Sequence, residues 1–194
     1  NNLYNILDSD VLDIGCGYKY LNHLSTGIDI DLGSIVRMRE KYPNNKWIWM
    51  DFTQKLITSE QEKKLGKKLF NYINDGNTLN NTYKIITLIN CIHYAKTNDE
   101  WDNVIYNINL FSQKNTNLII RYLDKSKLKL LFGTTNIIKK QDSYVKIIKN
   151  TDLEIEIFHS WTNDSPKIEK VVGLEDIEEF YNYNWYIDSI IENE

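Results

Sequence analysis

Three apolar runs in the first part of the chain each carry an aspartate at or near their end, namely Asp13, Asp29 and Asp51. Gly15 and Gly17 follow the first run, and two closely spaced glycines let the chain turn sharply and let a ligand lie against bare backbone. The Asp29 carboxylate can accept hydrogen bonds from both hydroxyls of a ribose. The Asp51 carboxylate can accept a hydrogen bond from the exocyclic amine of an adenine. These residue types therefore predict a nucleoside-binding site.

The aspartates would meet at one edge of a parallel sheet if the runs are neighbouring strands, because ligands bind such sheets at the carboxyl ends of the strands. The predicted strands are Asp10–Ile14, Gly27–Ile30, Lys46–Met50, Tyr83–Ile89 and Asn117–Tyr122. The segments with helical periodicity that alternate with them are Asp31–Tyr42, Ser59–Asn74 and Thr97–Ser112. In the last two, Ser59 with Glu62 and Thr97 with Glu100 have the spacing of an N-terminal capping box. This alternation is typical of βαβ units and predicts an α/β sandwich around a largely parallel sheet.

The pattern changes after Gly133. Ser143–Lys149 and Leu153–His159 alternate apolar and polar residues, which predicts an antiparallel pair at the edge of the sheet. A short helix at Leu174–Tyr181 and a last strand around Trp185–Ile190 are predicted to follow. The predicted fold class is thus α/β, with a largely parallel sheet and antiparallel C-terminal strands.

Length and composition exclude several other classes of protein. With 194 residues, 42% of them hydrophobic, the chain can bury one substantial core, and we expect residues 1–194 to form a single domain. The two cysteines form neither a CxxC motif nor a zinc-binding array, which excludes a disulfide framework and predicts a cytosolic protein without a metal site. No apolar run approaches the roughly 20 residues of a membrane helix, so no membrane partner is expected.

Three segments of the chain resemble motifs I to III of the class I S-adenosylmethionine-dependent methyltransferases, in order and spacing. They are Val11-Leu12-Asp13-Ile14-Gly15-Cys16-Gly17, Gly27-Ile28-Asp29 and Met50-Asp51-Phe52. The resemblance extends to the fifth predicted strand and implies a Rossmann-like fold with S-adenosyl-L-methionine as cofactor. The cofactor-binding residues that it implies are Asp13, Gly15, Gly17, Lys19, Asp29, Asp51, Phe52 and Asn90. A nicotinamide-dependent enzyme is disfavoured because Tyr20 stands where the third glycine of GxGxxG would be.

A narrower resemblance concerns the fourth predicted strand, which ends in Asn90-Cys91-Ile92-His93-Tyr94. This ending is similar to that of the mRNA cap guanine-N7 methyltransferases, particularly those of large DNA viruses, in which a His-Tyr pair touches the cap guanine. The segment Ser165–Val172 is similar to the part of that family whose glutamate faces the guanine edge. The resemblance implies His93, Tyr94 and Glu169 as catalytic residues and capped RNA as the substrate.

The chain departs from that family directly after the glycine pair. The family has Lys-Gly-Gly-Asp there, its lysine reaching the methionine carboxylate of the cofactor, whereas this chain has Tyr18-Lys19-Tyr20-Leu21. The resemblance implies that Lys19, one position later in the sequence, would contact the methionine carboxylate in place of that lysine. The family's N-terminal segment does not precede Asn1, and we expect the chain to be a piece of a longer capping enzyme, with upstream capping domains or a stimulatory subunit as partners.

Charge is spread unevenly along the chain. Arg121–Lys149 is rich in lysine, and this is a candidate footprint for cap phosphates or RNA, although such runs are also common on solvated faces. From Thr151 onward, twelve acidic residues stand against only two basic ones, Lys167 and Lys170. Abundant Ile, Asn and Lys with a single Ala indicate an AT-rich source, such as a virus or an organelle. A viral source would place the protein in the host cytoplasm or virion.

Three other functions remain open at this point. The first is methyl transfer to a small molecule or to another RNA position, with the His93-Tyr94 pair accidental. The second is a methyltransferase-fold subunit without turnover that stimulates a capping partner. The third is a nucleotide-binding domain of another role. Binding of S-adenosylhomocysteine and transfer to capped RNA are the observations that separate them.

Overall fold

The computed structural model describes residues 6–56 and 60–122, with side chains from residue 62 onward in the second range, and the backbone of five strands further along the chain. A 3₁₀ helix, Ile6–Asp8, precedes the first strand. The main sheet contains β1 (Val11–Ile14), β2 (Thr26–Asp29), β3 (Lys46–Trp49), β4 (Tyr83–Ile89), β5 (Ser112–Arg121) and β10 (Tyr186–Ser189). Its strands lie in the order β10-β5-β4-β1-β2-β3, and every described pair is parallel.

Helices cover both faces of this sheet, which is what a parallel sheet with buried strands requires. The helices are α1 (Leu32–Lys41), α2 (Glu60–Leu65), α3 (Lys67–Ile73) and α4 (Asn98–Phe111). On one face, strand residues such as Leu12 and Leu88 pack with Phe70 and Ile108 in the largest apolar cluster. On the other face, Cys16 and Trp47 pack with the α1 residues Ile35 and Met38.

The five strands predicted for the parallel sheet are all present, with shifted ends. The second strand ends at Asp29 instead of Ile30, and the fifth begins at Ser112, five residues before the predicted Asn117. Its early start follows from pairing, because Ser112 lies opposite Tyr83 before an irregularity in the register. Local periodicity carries no information about such a partner.

The predicted helix Ser59–Asn74 is in fact two helices. Gly66 separates α2 from α3 with φ +79° and ψ +146°, a backbone conformation that glycine adopts without strain and that is incompatible with a continuous helix. The predicted N-cap, Ser59, lies outside the described residues, as does the predicted helix Leu174–Tyr181.

The prediction that the antiparallel strands extend the main sheet is wrong. The described strand at that edge, β10, is parallel to β5, so the main sheet remains parallel throughout. The segments with alternating pattern belong to a separate four-stranded sheet, in the order β6-β7-β8-β9. Its strands are β6 (Ile137–Lys140), β7 (Ser143–Lys149), β8 (Glu154–Phe158) and β9 (Lys167–Lys170). Alternation predicted strands here, but it does not specify which sheet a strand joins.

Helix α4 begins with the capping box that its sequence predicts. The Thr97 hydroxyl accepts a hydrogen bond from the Glu100 N–H at 3.3 Å, and the Glu100 carboxylate accepts one from the Thr97 N–H at 3.0 Å. These contacts satisfy two backbone donors that the first turn of a helix leaves open.

Replacement of Thr97 by alanine is expected to lower the free energy of unfolding by about 1 kcal/mol, because the Glu100 N–H loses its acceptor. Urea denaturation followed by circular dichroism measures this difference. Thr97→Ser keeps the hydroxyl and serves as the control. Equal unfolding free energies for the alanine variant and the parent would show that the capping box contributes nothing to stability.

Within the described part of the chain, no helix combines the length and apolar character needed to cross a membrane.

Candidate functional site

The topological switch point of the main sheet lies at β1. This strand pairs with β2 on one side and with β4 on the other, so the chain reverses its direction of winding there. In open parallel sheets, the crevice outside the carboxyl ends of the strands at such a point is the common place for a ligand. The segments that follow β1, β2 and β4 all begin at this edge.

A tight glycine turn follows β1. Gly15 and Gly17 have φ values of +65° and +52°, a region that other residues enter only with strain. A Cβ on Gly15 would lie 2.5 Å from the Cβ of Cys91, so no side chain fits at this position. A Cβ on Gly17 would meet nothing within 4 Å, which means that the backbone of Gly17 faces open space. The turn therefore presents bare backbone at the switch point, as the sequence predicts.

The Asp29 carboxylate connects this turn with the end of β2. Its Oδ2 accepts a hydrogen bond from the Gly17 N–H at 2.7 Å, and its Oδ1 accepts one from the Asp31 N–H at 2.8 Å. A carboxylate has room for about four hydrogen bonds, so both oxygens retain acceptor capacity. Asp29 is half-buried, and this contact holds the end of β2 against the glycine turn.

Asp13 and Lys19 form an ion pair beside the turn. The Lys19 Nζ lies 3.5 Å from the Asp13 Oδ1 and donates to the Ile89 carbonyl of β4 at 3.3 Å. The Asp13 Oδ1 also accepts from the Thr87 hydroxyl at 2.6 Å. Burial raises the pKa of the Asp13 carboxyl, while the Lys19 ammonium and the Thr87 hydroxyl act in the opposite direction. Lys19 therefore spans the switch point from β1 to β4.

The loop after β4 is fixed against the end of β1. Asn90 has φ +57° and donates its N–H to the Arg121 carbonyl at 2.9 Å, which turns the chain out of the sheet. The Cys91 thiol lies 3.1 Å from the Ile14 carbonyl and packs against Gly15. Burial raises the pKa of Cys91 and of Cys16, so both thiols remain protonated and act as small apolar groups. Cys91 is a positioning residue that the sequence did not single out.

Asp51 and Phe52 stand at the carboxyl end of the third strand, as expected, but both have structural contacts. The Asp51 Oδ1 accepts from the Thr53 N–H and hydroxyl at 3.0 and 2.7 Å, and its Oδ2 accepts from the Gln54 side chain at 3.1 Å. The Phe52 ring is only 5% exposed and belongs to the largest apolar cluster. That these two residues contact an adenine stays a prediction.

Ile30, which the sequence predicts as the last residue of the second strand, is an exposed apolar residue at this edge. It directly follows Asp29, is 57% exposed, and its carbonyl accepts a hydrogen bond from the Trp49 indole at 2.7 Å. The exposed isoleucine presents apolar surface next to the Asp29 carboxylate. The sequence does not reveal that Ile30 is exposed, because an isoleucine next to a strand looks like a buried strand residue until the structure shows that β2 ends at Asp29.

His93 and Tyr94 lie in a short 3₁₀ turn, Ile92–Tyr94, that begins two residues after Asn90. His93 is buried, whereas Tyr94 is 46% exposed, and the centroids of the two rings are 4.5 Å apart. The backbone of β9 lies beside this turn. Glu169 belongs to β9, where it pairs with Ile155 of β8. The backbone of Glu169 is thereby brought to the same region as Tyr94, and its side chain lies outside the described residues.

The other predicted features are only partly described. Of the basic stretch Arg121–Lys149, the structure describes the Arg121 side chain and the backbone of β6 and β7. Among the side chains described, no group of three or more His, Cys, Asp and Glu residues could hold a metal ion.

Comparison with known proteins identifies similar folds but no close relative. No model of a protein family matches the chain, and no curated protein is significantly similar to it. A TehB-like SAM-dependent methyltransferase from Corynebacterium glutamicum is 15% identical with a TM-score of 0.43, and this chain spans only 54% of its length while 59% of this chain is covered.

Other solved structures match over most of the chain, among them the two that follow. The PH0226 protein from Pyrococcus horikoshii OT3 is 15% identical with a TM-score of 0.56, covering 93% of this chain and 74% of its own. The glycopeptide N-methyltransferase MtfA complexed with sinefungin is 6% identical with a TM-score of 0.53, covering 91% of this chain and 75% of its own. MtfA has also been solved with S-adenosylmethionine and with S-adenosylhomocysteine. The chain thus has the Rossmann-like fold of the class I SAM-dependent methyltransferases.

Proposed function

We propose that this protein is an S-adenosylmethionine-dependent methyltransferase whose acceptor is N7 of the guanine that caps messenger RNA. The observation that carries the first part is the hydrogen bond between the Asp29 carboxylate and the Gly17 N–H at the switch point of the sheet. This hydrogen bond connects two features: a carboxylate that is suited to bind ribose hydroxyls, and a glycine turn whose backbone faces open space. The glycopeptide N-methyltransferase MtfA, which shares this fold, binds the same cofactor.

The residues at this edge fit the parts of S-adenosylmethionine. Asp29 would accept the ribose hydroxyls, and the backbone of Gly15, Gly17 and Asn90 would line the methionine portion. The Lys19 ammonium stands at the same crevice and would attract the methionine carboxylate. When bound, the cofactor supplies a methyl group carried on a positively charged sulfur.

The acceptor is inferred from the sequence resemblance together with one structural relation. Tyr94 is half-exposed at the end of β4, and β9, which contains Glu169, lies beside the turn that holds it. A planar base needs an aromatic face and a polar edge contact, and these two residues are of the right types. The proximity of the two segments, distant in sequence, supports a common acceptor pocket.

Methylation of guanine N7 requires no general base, because N7 carries an in-plane lone pair and no proton. The protein's task is to hold the acceptor in line with the methyl group, and alignment at about 3 Å can supply roughly 7–11 kcal/mol of the barrier. Tyr94 would pack against the base, and His93, tilted against Tyr94, would orient it. A carboxylate at Glu169 would stabilise the positive charge that develops on the guanine ring.

Transfer of labelled methyl from S-adenosylmethionine to GpppA-capped RNA, compared with the same RNA uncapped, tests this function. We expect label in the capped RNA alone, recovered as 7-methylguanine after digestion. Label on a ribose, on an internal base or in uncapped RNA would contradict the cap assignment while keeping the methyltransferase. Calorimetry with S-adenosylhomocysteine accompanies the assay, because the absence of saturable heat would contradict cofactor binding itself.

Replacement of Tyr94 by alanine is expected to reduce methyl transfer to capped RNA about tenfold, since a stacking contact with a base contributes about 1–3 kcal/mol. Tyr94→Phe should keep most of the activity, because the ring and not the hydroxyl makes the contact. Tyr72→Ala, which removes an exposed tyrosine of α3, is the matched control. If the Tyr94→Ala and Glu169→Ala variants both transfer methyl groups at the rate of the parent, these two residues do not form a guanine pocket.

Methyl transfer to a small molecule remains the second candidate, because the glycopeptide N-methyltransferase MtfA shares the fold. It predicts saturable binding of S-adenosylhomocysteine without any response to a capped RNA end. A stimulatory subunit without turnover predicts no saturable binding.

A further inference from the structure

We infer that the loop after the glycine turn and the outer face of α1 form a binding surface for single-stranded RNA, which takes the nucleotides that follow the cap. This inference rests on the proposed function for its substrate. The surface, called here the tyrosine surface, consists of Tyr18, Tyr20, Arg37, Lys41 and Tyr42. Its two parts are a tyrosine with an arginine over it and a stacked tyrosine pair with a lysine over it.

The first part is formed by Tyr18 and Arg37. Tyr18 is 58% exposed, and the guanidinium carbon of Arg37 lies 5.5 Å from the centre of its ring. A guanidinium over one face of an aromatic ring is favourable, and it holds the ring in place without enclosing it. The exposed area of Tyr18 remains available to a base. An arginine beside an exposed aromatic ring is also what nucleic-acid-binding proteins use to contact base and phosphate together.

The second part is formed by Tyr20, Tyr42 and Lys41. The rings of Tyr20 and Tyr42 are stacked, with centroids 4.1 Å apart and planes 16° from parallel. The Lys41 ammonium lies 5.3 Å from the centre of the Tyr42 ring. Tyr20 keeps 41% of its surface exposed although one of its faces is covered by Tyr42. The stack therefore fixes the orientation of Tyr20, and a base that bound to the free face of the Tyr20 ring would become the third ring of this stack.

The tyrosine surface begins directly at the cofactor edge. Tyr18 follows Gly17, whose N–H is bound by Asp29, so the loop leaves from the proposed site. Arg37 and Lys41 are four residues apart on α1 and thus lie on the same side of the helix, about 6 Å apart along its axis. Because α1 begins just after the carboxyl end of β2, Arg37 lies one turn nearer to that edge than Lys41 does. An RNA strand that runs away from the cofactor edge would therefore pass Tyr18 and Arg37 before Tyr20 and Lys41.

The charges of this region favour an anionic ligand. Arg37 and Lys41 are exposed cations on the same side of α1. The nearest acid in sequence, Glu40, lines a cavity on another side of the helix together with Leu32 and Val36. Asp31 lies close enough to Arg37 to interact with it, but its carboxylate caps α1 by accepting from Gly33 and Ser34.

Unpaired bases fit this surface better than a duplex does. Aromatic rings stack on bases that are not already stacked within a helix, and every base has a face that can be used, so little sequence preference is expected. Phosphates would meet Arg37 and Lys41 without a defined base pattern. The ligand class is therefore a single strand of no particular sequence.

Fluorescence anisotropy with a labelled, uncapped ten-nucleotide oligouridylate tests the surface on the full chain. Tyr18→Ala is expected to weaken binding about tenfold, within the range for loss of one stacked base, whereas Tyr18→Phe should bind like the parent. Tyr106→Ala is the matched control, because Tyr106 of α4 is an exposed tyrosine with the Lys55 ammonium 4.9 Å from its ring centre. Binding by Tyr18→Ala equal to that of the parent would overturn the inference.

The salt dependence of the same binding tests the two cations. Arg37→Gln and Lys41→Gln should each reduce the slope of log affinity against log salt concentration by about 0.7, the value for one phosphate contact on a single strand. Melting temperatures equal to that of the parent identify the variants that are folded. Unchanged slopes for both folded variants would exclude phosphate contacts at α1.

Methyl transfer to the GpppA dinucleotide and to a capped RNA of twenty nucleotides separates this inference from the proposed function. We expect Tyr18→Ala to raise KM about tenfold for the long RNA and to leave the dinucleotide reaction unchanged. Equal KM values for the long RNA in variant and parent would overturn the inference while the function stands. Loss of oligouridylate affinity in Tyr18→Ala, with no methyl transfer to any capped substrate by the parent, would support the surface and overturn the function.

Discussion

Replacement of Asp29 by asparagine is expected to weaken the binding of S-adenosylhomocysteine by about 100-fold, or about 2.7 kcal/mol. The carboxylate already accepts from the Gly17 and Asp31 N–H groups, and its remaining acceptor positions would serve two ribose hydroxyls. Asparagine offers one oxygen in place of two and no charge, and hydrogen bonds to a charged group contribute about 1.5–3 kcal/mol each. Isothermal titration calorimetry measures the loss.

Asp31→Asn is the matched control for this measurement. Asp31 is two residues further along, is also acidic, and caps α1 by accepting from the Gly33 and Ser34 N–H groups. Asparagine is in general about as favourable as aspartate at a helix N-cap. We expect this variant to bind S-adenosylhomocysteine like the parent. If the Asp29→Asn protein is folded and also binds like the parent, this carboxylate does not contact the ribose. The hydrogen bond between Asp29 and Gly17 would then no longer support the proposed function.

The parts of the fold that the sequence predicts are those that local pattern determines. The strand before Gly15 is apolar apart from Asp13 because it is buried on both faces, and the box formed by Thr97 and Glu100 acts within a single helical turn. Gly66 is different, because a helix tolerates a lone glycine at a cost of about 1 kcal/mol, so its presence in a helical pattern does not by itself mark a break. Only the structure shows its positive φ.

The parts that the sequence does not predict depend on contacts between distant segments. The parallel strand β10 and the separate antiparallel sheet are specified by pairing partners that no local periodicity reveals. At the site, the glycine turn and Asp29 were predicted together because a motif joins them. The contact of Lys19 with the Ile89 carbonyl, and the packing of Cys91 against Gly15, link residues about seventy positions apart.

The ion pair of Asp13 and Lys19 leads to the second large effect. Replacement of Lys19 by methionine is expected to lower the free energy of unfolding by about 2 kcal/mol at pH 8, because it leaves the buried Asp13 carboxylate without its counter-charge. Breaking a fully buried pair costs about 3–5 kcal/mol, and we expect less here because the Lys19 side chain is 34% exposed and its charge is screened by solvent. The Asp13 Oδ2 is buried and accepts no hydrogen bond from the described part of the chain, so the structure offers little compensation.

The sign of the pH dependence follows from the pKa of Asp13. Burial raises this pKa in the folded state, so the folded protein holds the proton more tightly than the unfolded chain does. The carboxyl therefore favours folding most below its unfolded pKa of about 4, and this contribution is lost as the pH rises through the folded pKa. Loss of the Lys19 ammonium raises the folded pKa further, and Asp29, the other nearby acid, acts in the same direction. The instability of Lys19→Met should accordingly shrink as the pH falls from 8 towards 4.

Urea denaturation of four proteins across this pH range provides the decisive comparison: the parent, Lys19→Met, Asp13→Asn and the double variant. The Asp13→Asn change removes the charge and keeps an oxygen for the Thr87 hydroxyl, so Lys19→Met should cost little stability in its presence at any pH. Lys19→Arg, which preserves the positive charge, should behave like the parent. A Lys19→Met deficit that is independent of pH and persists beside Asp13→Asn would mean that the lysine stabilises the fold through its alkyl chain and not through the buried carboxylate.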